Sequence, residues 1–335
     1  MFRRNPQQVR TFCLLLSLFL LLGTGCLNLN SNKITKTAFV LNTVASITVY
    51  GNYDEALLDD CFELCRHYEG LFSRTLASSE IYRLNSREIS QASPETAQLI
   101  DSSLSFARLS GGRFDPTIEP LSALWNFSAE SPSVPPDAEI RKAAQAVDYT
   151  AVSVEGSTVS FANPDVRLDL GAIAKGYIAD RVKELLVSQG VEKAIINLGG
   201  NVICIGGKSE KTGFSVGIQY PFQDGSIATV EISDMSVVTS GVYERSFEEN
   251  GRLYHHILDP ETGYPVENGL LSVTIVGASS RDCDALSTAC FALGLSEGMK
   301  LIESLPEMYG IFITDDYELH CSQGTAQTLN LTLNP

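Results

Sequence analysis

The chain has 335 residues, 44% of them hydrophobic and 19% charged, the composition of a globular protein rather than a disordered or fibrous one. With 24 Lys and Arg against 40 Asp and Glu, its net charge of −16 gives no electrostatic footprint for nucleic acid. The length suits one large domain or two modest ones.

The charges are unevenly placed. No acid precedes Asp54, whereas Arg3, Arg4 and Arg10 lead into the apolar run Phe12 to Leu22, then Gly23-Thr24-Gly25 and Cys26. Positive start, short apolar stretch and small residues read as an export signal over residues 1–25, too short to span a bilayer as a helix. Small residues before Cys26 resemble the bacterial lipobox, in which that Cys is lipidated and becomes the new N-terminus. Gly23 stands where the lipobox usually has an aliphatic residue, so a plain secreted protein cut near Gly25 is the other reading. A twin-arginine signal at Arg3-Arg4 fits less well, because Asn-Pro-Gln-Gln follows instead of an apolar residue. The expectation is an exported protein held by a lipid anchor at Cys26 on the outer face of the bacterial cell membrane. Residues 26–36, rich in Asn, Ser, Lys and Thr, read as a tether, and 37–330 as the folded domain. The remaining six cysteines have no compact disulfide spacing and are expected to be mostly free, buried thiols.

Along that domain, residues 38–50 are rich in β-branched side chains and predict a strand. Residues 54–69 place Ala56, Leu57, Cys61, Leu64, Cys65 and Tyr68 on one helical stripe. Ser93-Pro94-Glu95 opens a second helix that Gly111 closes. The Pro- and Ser-rich stretch 131–136 is a surface loop, with Asp137 as cap of the helix after it. Beyond residue 148 strands are predicted at 149–155, 157–161, 191–198, 213–220, 227–233, 236–240, 252–258 and 270–276, interrupted by helices at about 173–189 and 284–294. This is a mixed α+β fold, one domain or two closely packed lobes.

Four segments depart from ordinary structure. Leu168 to Tyr177 runs from a short apolar strand carrying Asp169 through small residues into a helix bearing Lys175, which suits phosphate, or is simply a tight turn with a solvated Lys. Asn197-Leu198-Gly199-Gly200-Asn201 ends a buried strand in a turn needing positive φ and lacks the spacing of a dinucleotide fingerprint. Tyr254 to Pro265 puts His255 and His256 at a strand end, facing opposite ways. His256, nearer the turn, is the better candidate base, the alternative being a structural hydrogen-bonded His. In Asp282 to Ala289, Asp284 and Thr288 share one helix face. With backbone carbonyls they form a hard-oxygen set suited to Mg²⁺, unless Asp284 merely favours the helix dipole.

Together with Gly111-Gly112-Arg113-Phe114-Asp115-Pro116-Thr117, these segments occur in the order that characterises the ApbE family of FAD:protein FMN transferases, and roughly residues 36–325 resemble it. The resemblance implies an ApbE-like, T-fold-related mixed α/β fold and a Mg²⁺-dependent enzyme. Such an enzyme breaks the pyrophosphate of its substrate FAD, places FMN on a Thr or Ser hydroxyl of an acceptor protein in a membrane redox complex, and releases AMP. It puts the metal on Asp284, Thr288 and the carbonyl of Ala172, and FAD against Arg113, Phe114, Asp115, Asp169, Lys175 and Leu258. Asp284 and His256 are the catalytic candidates, His256 as acceptor of the hydroxyl proton. Where the family often has Met-Gly-Thr, this chain has Leu41-Asn42-Thr43. Leu41 can still serve as an apolar wall, while Asn42 needs more room than Gly. FAD pyrophosphatase, with water in place of the hydroxyl, and a non-catalytic exported FAD-binding lipoprotein are the alternatives.

Overall fold

Two adjacent residues in the left-handed region, Leu41 (φ 56°) and Asn42 (φ 56°), fold the first β-rich stretch back on itself. The computed structural model, which describes residues 32–334, therefore has two antiparallel strands, β1 (Lys33–Val40) and β2 (Thr43–Tyr50), where one was expected over 38–50. Strand β1 takes in Lys33–Lys36, the last residues assigned to the tether by composition. The expected signal peptide and the anchor at Cys26 lie outside the described residues.

The helices follow as α1 (Ala56–Phe72), α2 (Glu80–Asn85), α3 (Pro94–Leu109), α4 (Glu119–Trp125), α5 (Asp137–Ala144), α6 (Ala174–Ser188), α7 (Ser280–Glu303) and α8 (Thr325–Thr328). Helix α3 starts as its sequence requires: the Ser93 hydroxyl accepts the Thr96 N–H and Pro94 occupies the first turn. Helix α5 corrects the expected cap, because Pro136 holds the N-cap position and Asp137 is already helical. Helix α7 starts at Ser280, capped by the Ser279 hydroxyl, so Asp284 lies one turn in rather than at the start. The helix expected over about 284–294 runs on to Glu303, with a kink at Gly294 (φ 80°, ψ 174°), which interrupts the helical backbone.

The further strands are β3 (Val152–Glu155), β4 (Thr158–Phe161), β5 (Ala194–Leu198), β6 (Asn201–Ile205), β7 (Phe214–Gln219), β8 (Ser226–Ile232), β9 (Ser236–Gly241), β10 (Ser246–Glu249), β11 (Arg252–His255), β12 (Leu270–Gly277), β13 (Tyr309–Thr314), β14 (Leu319–Cys321) and β15 (Thr332–Leu333). Of these β6, β10, β13, β14 and β15 were not foreseen. Gly199 (φ 62°) and Gly200 (φ 90°) form the turn between β5 and β6, with Leu198 opposite Asn201.

Eight strands form one antiparallel sheet in the order β1-β2-β5-β6-β9-β12-β13-β14. Alternation along the strands splits its faces. Ala45, Ile47, Ala194, Ile196 and Ile203 pack with α1, α3 and α6, and Val238, Val273, Ile275 and Phe312 pack with α7. Their neighbours Cys204, Val237, Val276, Ile311 and Ile313 face the other way, against the smaller sheet β15-β8-β7. The result is a helix layer, a central sheet and a covering sheet, in one unit from Lys33 onward. A satellite core of Leu121, Trp125, Ile140 and Leu258 holds α4 and α5 beside the β10–β11 hairpin. Cys61, Cys65, Cys204, Cys283 and Cys290 are buried free thiols, and burial pushes Cys61, Cys65 and Cys204 up to about 12.

Candidate active site

Helices α6 and α7 cross where Gly176 faces the backbone of Ser280, and each supplies a carboxylate to the other. Asp284 of α7 accepts the Gly176 N–H through Oδ2 at 2.9 Å, in the first turn of α6. Asp180 of α6 accepts the N–H groups of Ser280 (2.9 Å) and Arg281 (3.0 Å) in the first turn of α7. A helix N-terminus has unpaired donors and partial positive charge, so a partly buried carboxylate there contributes about 1–2 kcal/mol. Burial raises the Asp180 carboxyl above its usual range, opposed chiefly by those two backbone N–H groups.

Asp284 is buried, 3% exposed, and its second oxygen faces the Lys175 ammonium at 3.4 Å. One turn further along α7, the Thr288 hydroxyl meets the Ser240 hydroxyl at the end of β9, at 3.0 Å. Ser240 also meets Ser287 at 2.8 Å, and Ser287 donates to the Asp284 carbonyl. Ala172 lies just before Ile173, the N-cap of α6. Of the sequence-predicted residues, Lys175 and Asp284 therefore meet at one helix crossing, with Thr288 one turn further along α7 and Ala172 three residues before Lys175. No cluster of three His, Cys, Asp or Glu side chains able to hold a metal occurs among the described residues. One carboxylate, one hydroxyl and a carbonyl form a hard-oxygen set, and the buried carboxylate already faces a cation. By donor chemistry the residues fit Mg²⁺.

The two histidines part as the strand period requires. His255, last in β11, is buried, and its Nε2 lies 3.0 Å from the Val266 carbonyl oxygen. His256 follows the strand, its N–H donated to the Arg245 carbonyl at 3.1 Å. Its Nδ1 is buried with no hydrogen-bond partner among the described residues. Burial foremost, then the positive charges of Arg245, His255 and Lys175, push its imidazole down to about 3. Glu244 feels the same Lys175 and Arg245, and its carboxyl is raised by burial against their pull. Lys175 thus links His256 electrostatically to Asp284.

The third group is a cavity of about 460 Å³ lined by Arg113, Asp115, Tyr149, Pro260, Glu261 and Thr262, among others. Arg113 spans it, 3.3 Å from both Asp259 and Glu261. Asp115 is raised by burial, and its oxygens accept from Thr117 and the Tyr149 N–H. Asp169 pairs with Arg74 at 3.1 Å and donates its N–H to the Pro116 carbonyl, tying its segment to that of Arg113. Phe114 and Leu258 are buried, Phe114 against Phe106 in the main core and Leu258 in the satellite core. Leu41 packs on the main core from the β1–β2 turn. Sequence reasoning missed Arg74, Asp180, Ser240, Glu244 and Arg245. Each is an ordinary polar residue of a strand, helix or loop until the fold brings its distant partner alongside.

Residues 41–312, which contain every one of these groups, match the model of the ApbE family. The chain belongs to the ApbE family. A relative named FAD:protein FMN transferase from Klebsiella pneumoniae is 36% identical over 87% of this chain and 92% of its own. Another of the same name, from Treponema pallidum, is 33% identical over 87% of each chain. The crystal structure of the ApbE protein from Thermotoga maritima superposes with a TM-score of 0.81 at 32% identity, over 87% of this chain and 97% of that one. The single mixed α/β domain is thus the ApbE fold.

Proposed function

We propose that this protein is an FAD:protein FMN transferase, which moves FMN from FAD to a Thr or Ser hydroxyl of an acceptor protein and releases AMP. The observation that carries the reading is the meeting of Asp284, Lys175 and the start of α6 at one crossing, within the field that reaches His256. Relatives bearing that name at 33–36% identity over most of the chain support the activity. Mg²⁺, the Thr or Ser acceptor and AMP release belong to the proposal.

Asp284, Thr288 and the Ala172 carbonyl would hold Mg²⁺. Bound there, the ion supplies neutralisation of the diphosphate charge that grows as the phosphoanhydride breaks. Lys175 offers a second positive charge to the same phosphates. Arg113, at the cavity wall, orients the rest of the dinucleotide. The acceptor hydroxyl oxygen attacks the FMN phosphorus, the bond from that phosphorus to the bridging oxygen breaks, and the oxygen leaves with AMP. The hydroxyl proton passes to a ring nitrogen of His256, which is neutral at physiological pH because its pKa lies far below 7. An arriving diphosphate opposes the depressing fields of Lys175 and Arg245, so the imidazole becomes more basic when its substrate is present.

Export and lipidation at Cys26, supported by the sequence of residues 1–26 alone, and an acceptor in a membrane redox complex, which rests on the family resemblance, complete the proposal. The test is to incubate the protein with FAD, Mg²⁺ and a candidate acceptor domain and to weigh the acceptor. A gain of one FMN with equimolar AMP is the expected result. AMP without a mass gain would make the protein an FAD pyrophosphatase, and tight FAD retention with neither product would make it a carrier.

A further inference from the structure

Both oxygens of the Asp284 carboxylate are engaged by groups of the chain itself. Oδ2 takes the Gly176 N–H at 2.9 Å, and Oδ1 faces the Lys175 ammonium at 3.4 Å. The pair is asymmetric: the Asp284 side chain is 4% exposed, that of Lys175 30%. A buried carboxylate needs a counter-charge, and here a covalently tethered one supplies it. A free divalent ion entering this site must displace an ammonium that cannot diffuse away, and Mg²⁺ sheds its own water reluctantly. Asp284 is the only acid within ion-pair distance of the Lys175 ammonium among the described residues, and Glu244, which feels the same charge, forms no ion pair with it that could replace Asp284.

We infer that the site takes its divalent cation as a complex with the diphosphate of the substrate rather than as the free ion, with Lys175 as the placeholder cation on Asp284. A diphosphate removes the obstacle in one step: it gives the Lys175 ammonium a new anionic partner and delivers the metal to the carboxylate the ammonium has left. Lys175 is therefore a positioning residue for Asp284 before the diphosphate binds and a phosphate ligand after it. This inference rests on the proposed metal ligands and deepens that reading. It makes metal and dinucleotide binding mutually dependent, and by linkage each tightens the other by the same factor.

The test reads metal binding, not turnover. Mn²⁺ is titrated into FAD-free protein and followed by electron paramagnetic resonance, with thermal unfolding to show that each variant is folded. Wild type is expected to bind Mn²⁺ weakly, and Lys175→Met more tightly by about 5- to 150-fold, the usual span of a coupling between sites. Lys175→Arg, which keeps a cation beside Asp284, restores the weak binding. Arg245→Gln serves as the control for the general field, because Arg245 also acts on His256 and Glu244 but forms no ion pair with Asp284, and it leaves Mn²⁺ affinity near that of wild type. Adding FAD to wild type raises its Mn²⁺ affinity. Equal affinities of FAD-free wild type and Lys175→Met overturn the inference, as does an equal gain in Arg245→Gln. If Asp284→Asn in the Lys175→Met background leaves Mn²⁺ binding unchanged, the metal-ligand reading itself falls, a failure separable from the first two.

Discussion

Gly176 lies so close to the carbonyl oxygen of Ser280 that a Cβ at position 176 would stand 2.3 Å from it. Contact with backbone cannot be relieved by turning a side chain, so a methyl here pushes α6 and α7 apart. The expected cost of Gly176→Ala is about 1–3 kcal/mol net, the usual range for overpacking, despite the better helix propensity of Ala. Urea unfolding measures it as a lower midpoint at unchanged slope. Because the same crossing sets the Asp284 and Asp180 contacts, FAD affinity falls as well. A variant with wild-type stability would mean that the helices separate freely.

Asp284→Asn preserves shape and still accepts the Gly176 N–H, but it removes the charge that Lys175 faces and that a metal requires. Even residues that only support a metal ligand cost about 10–100-fold when changed. For the ligand itself the loss of FAD turnover is expected to exceed about 100-fold. Chromatographic measurement of AMP release checks this, and near-normal turnover would remove Asp284 from the site.

Much of this crossing was legible in the sequence, and the illegible part has a common cause. Lys175 and Asp284 stood out because small residues before a helix, and an acid four residues before a Thr, are local patterns. Asp180 and Ser240 did not, because they matter only through partners 100 and 48 residues away, Ser280 and Thr288. The β1–β2 hairpin was hidden for a different reason. Residues 38–50 are β-rich throughout, and its turn is Leu41-Asn42, with no Gly to announce the positive φ. Strand β13 was missed because its apolar run, Ile311-Phe312-Ile313, is only three residues long. That strand nevertheless lies inside the sheet, paired on both sides.

His256→Ala separates base from ligand. If the imidazole accepts the acceptor hydroxyl's proton, transfer slows by about 10²–10⁴-fold, the usual contribution of a positioned base. FAD binding, which rests on other side chains, is kept. Mass spectrometry of the acceptor against time, paired with FAD fluorescence titration, distinguishes the two quantities. Loss of FAD binding with transfer at saturation unchanged would make His256 a dinucleotide contact instead.

His255 makes stability depend on pH. Burial foremost pushes its imidazole down to about 4, opposed by the Val266 carbonyl and by Glu267, from an ordinary value of 6.5. Between those two pH values the unfolded chain binds a proton at this position that the folded one refuses. The contribution of His255 is therefore fully present above about pH 6.5 and is lost as pH falls toward 4. At about 1.4 kcal/mol per pH unit, the full loss is on the order of 3 kcal/mol. The buried carboxyls of Asp115 and Asp180 are raised, so their contribution has the opposite sign, favouring the folded state as pH falls toward the ordinary carboxylate range. His255→Phe isolates the contribution of His255, since both proteins share those carboxyls. Although the variant loses the contact with Val266, the drop in its urea midpoint from pH 7.5 to 5.0 is expected to be smaller than in wild type. Equal drops in the two proteins would mean that His255 is charged in the folded state.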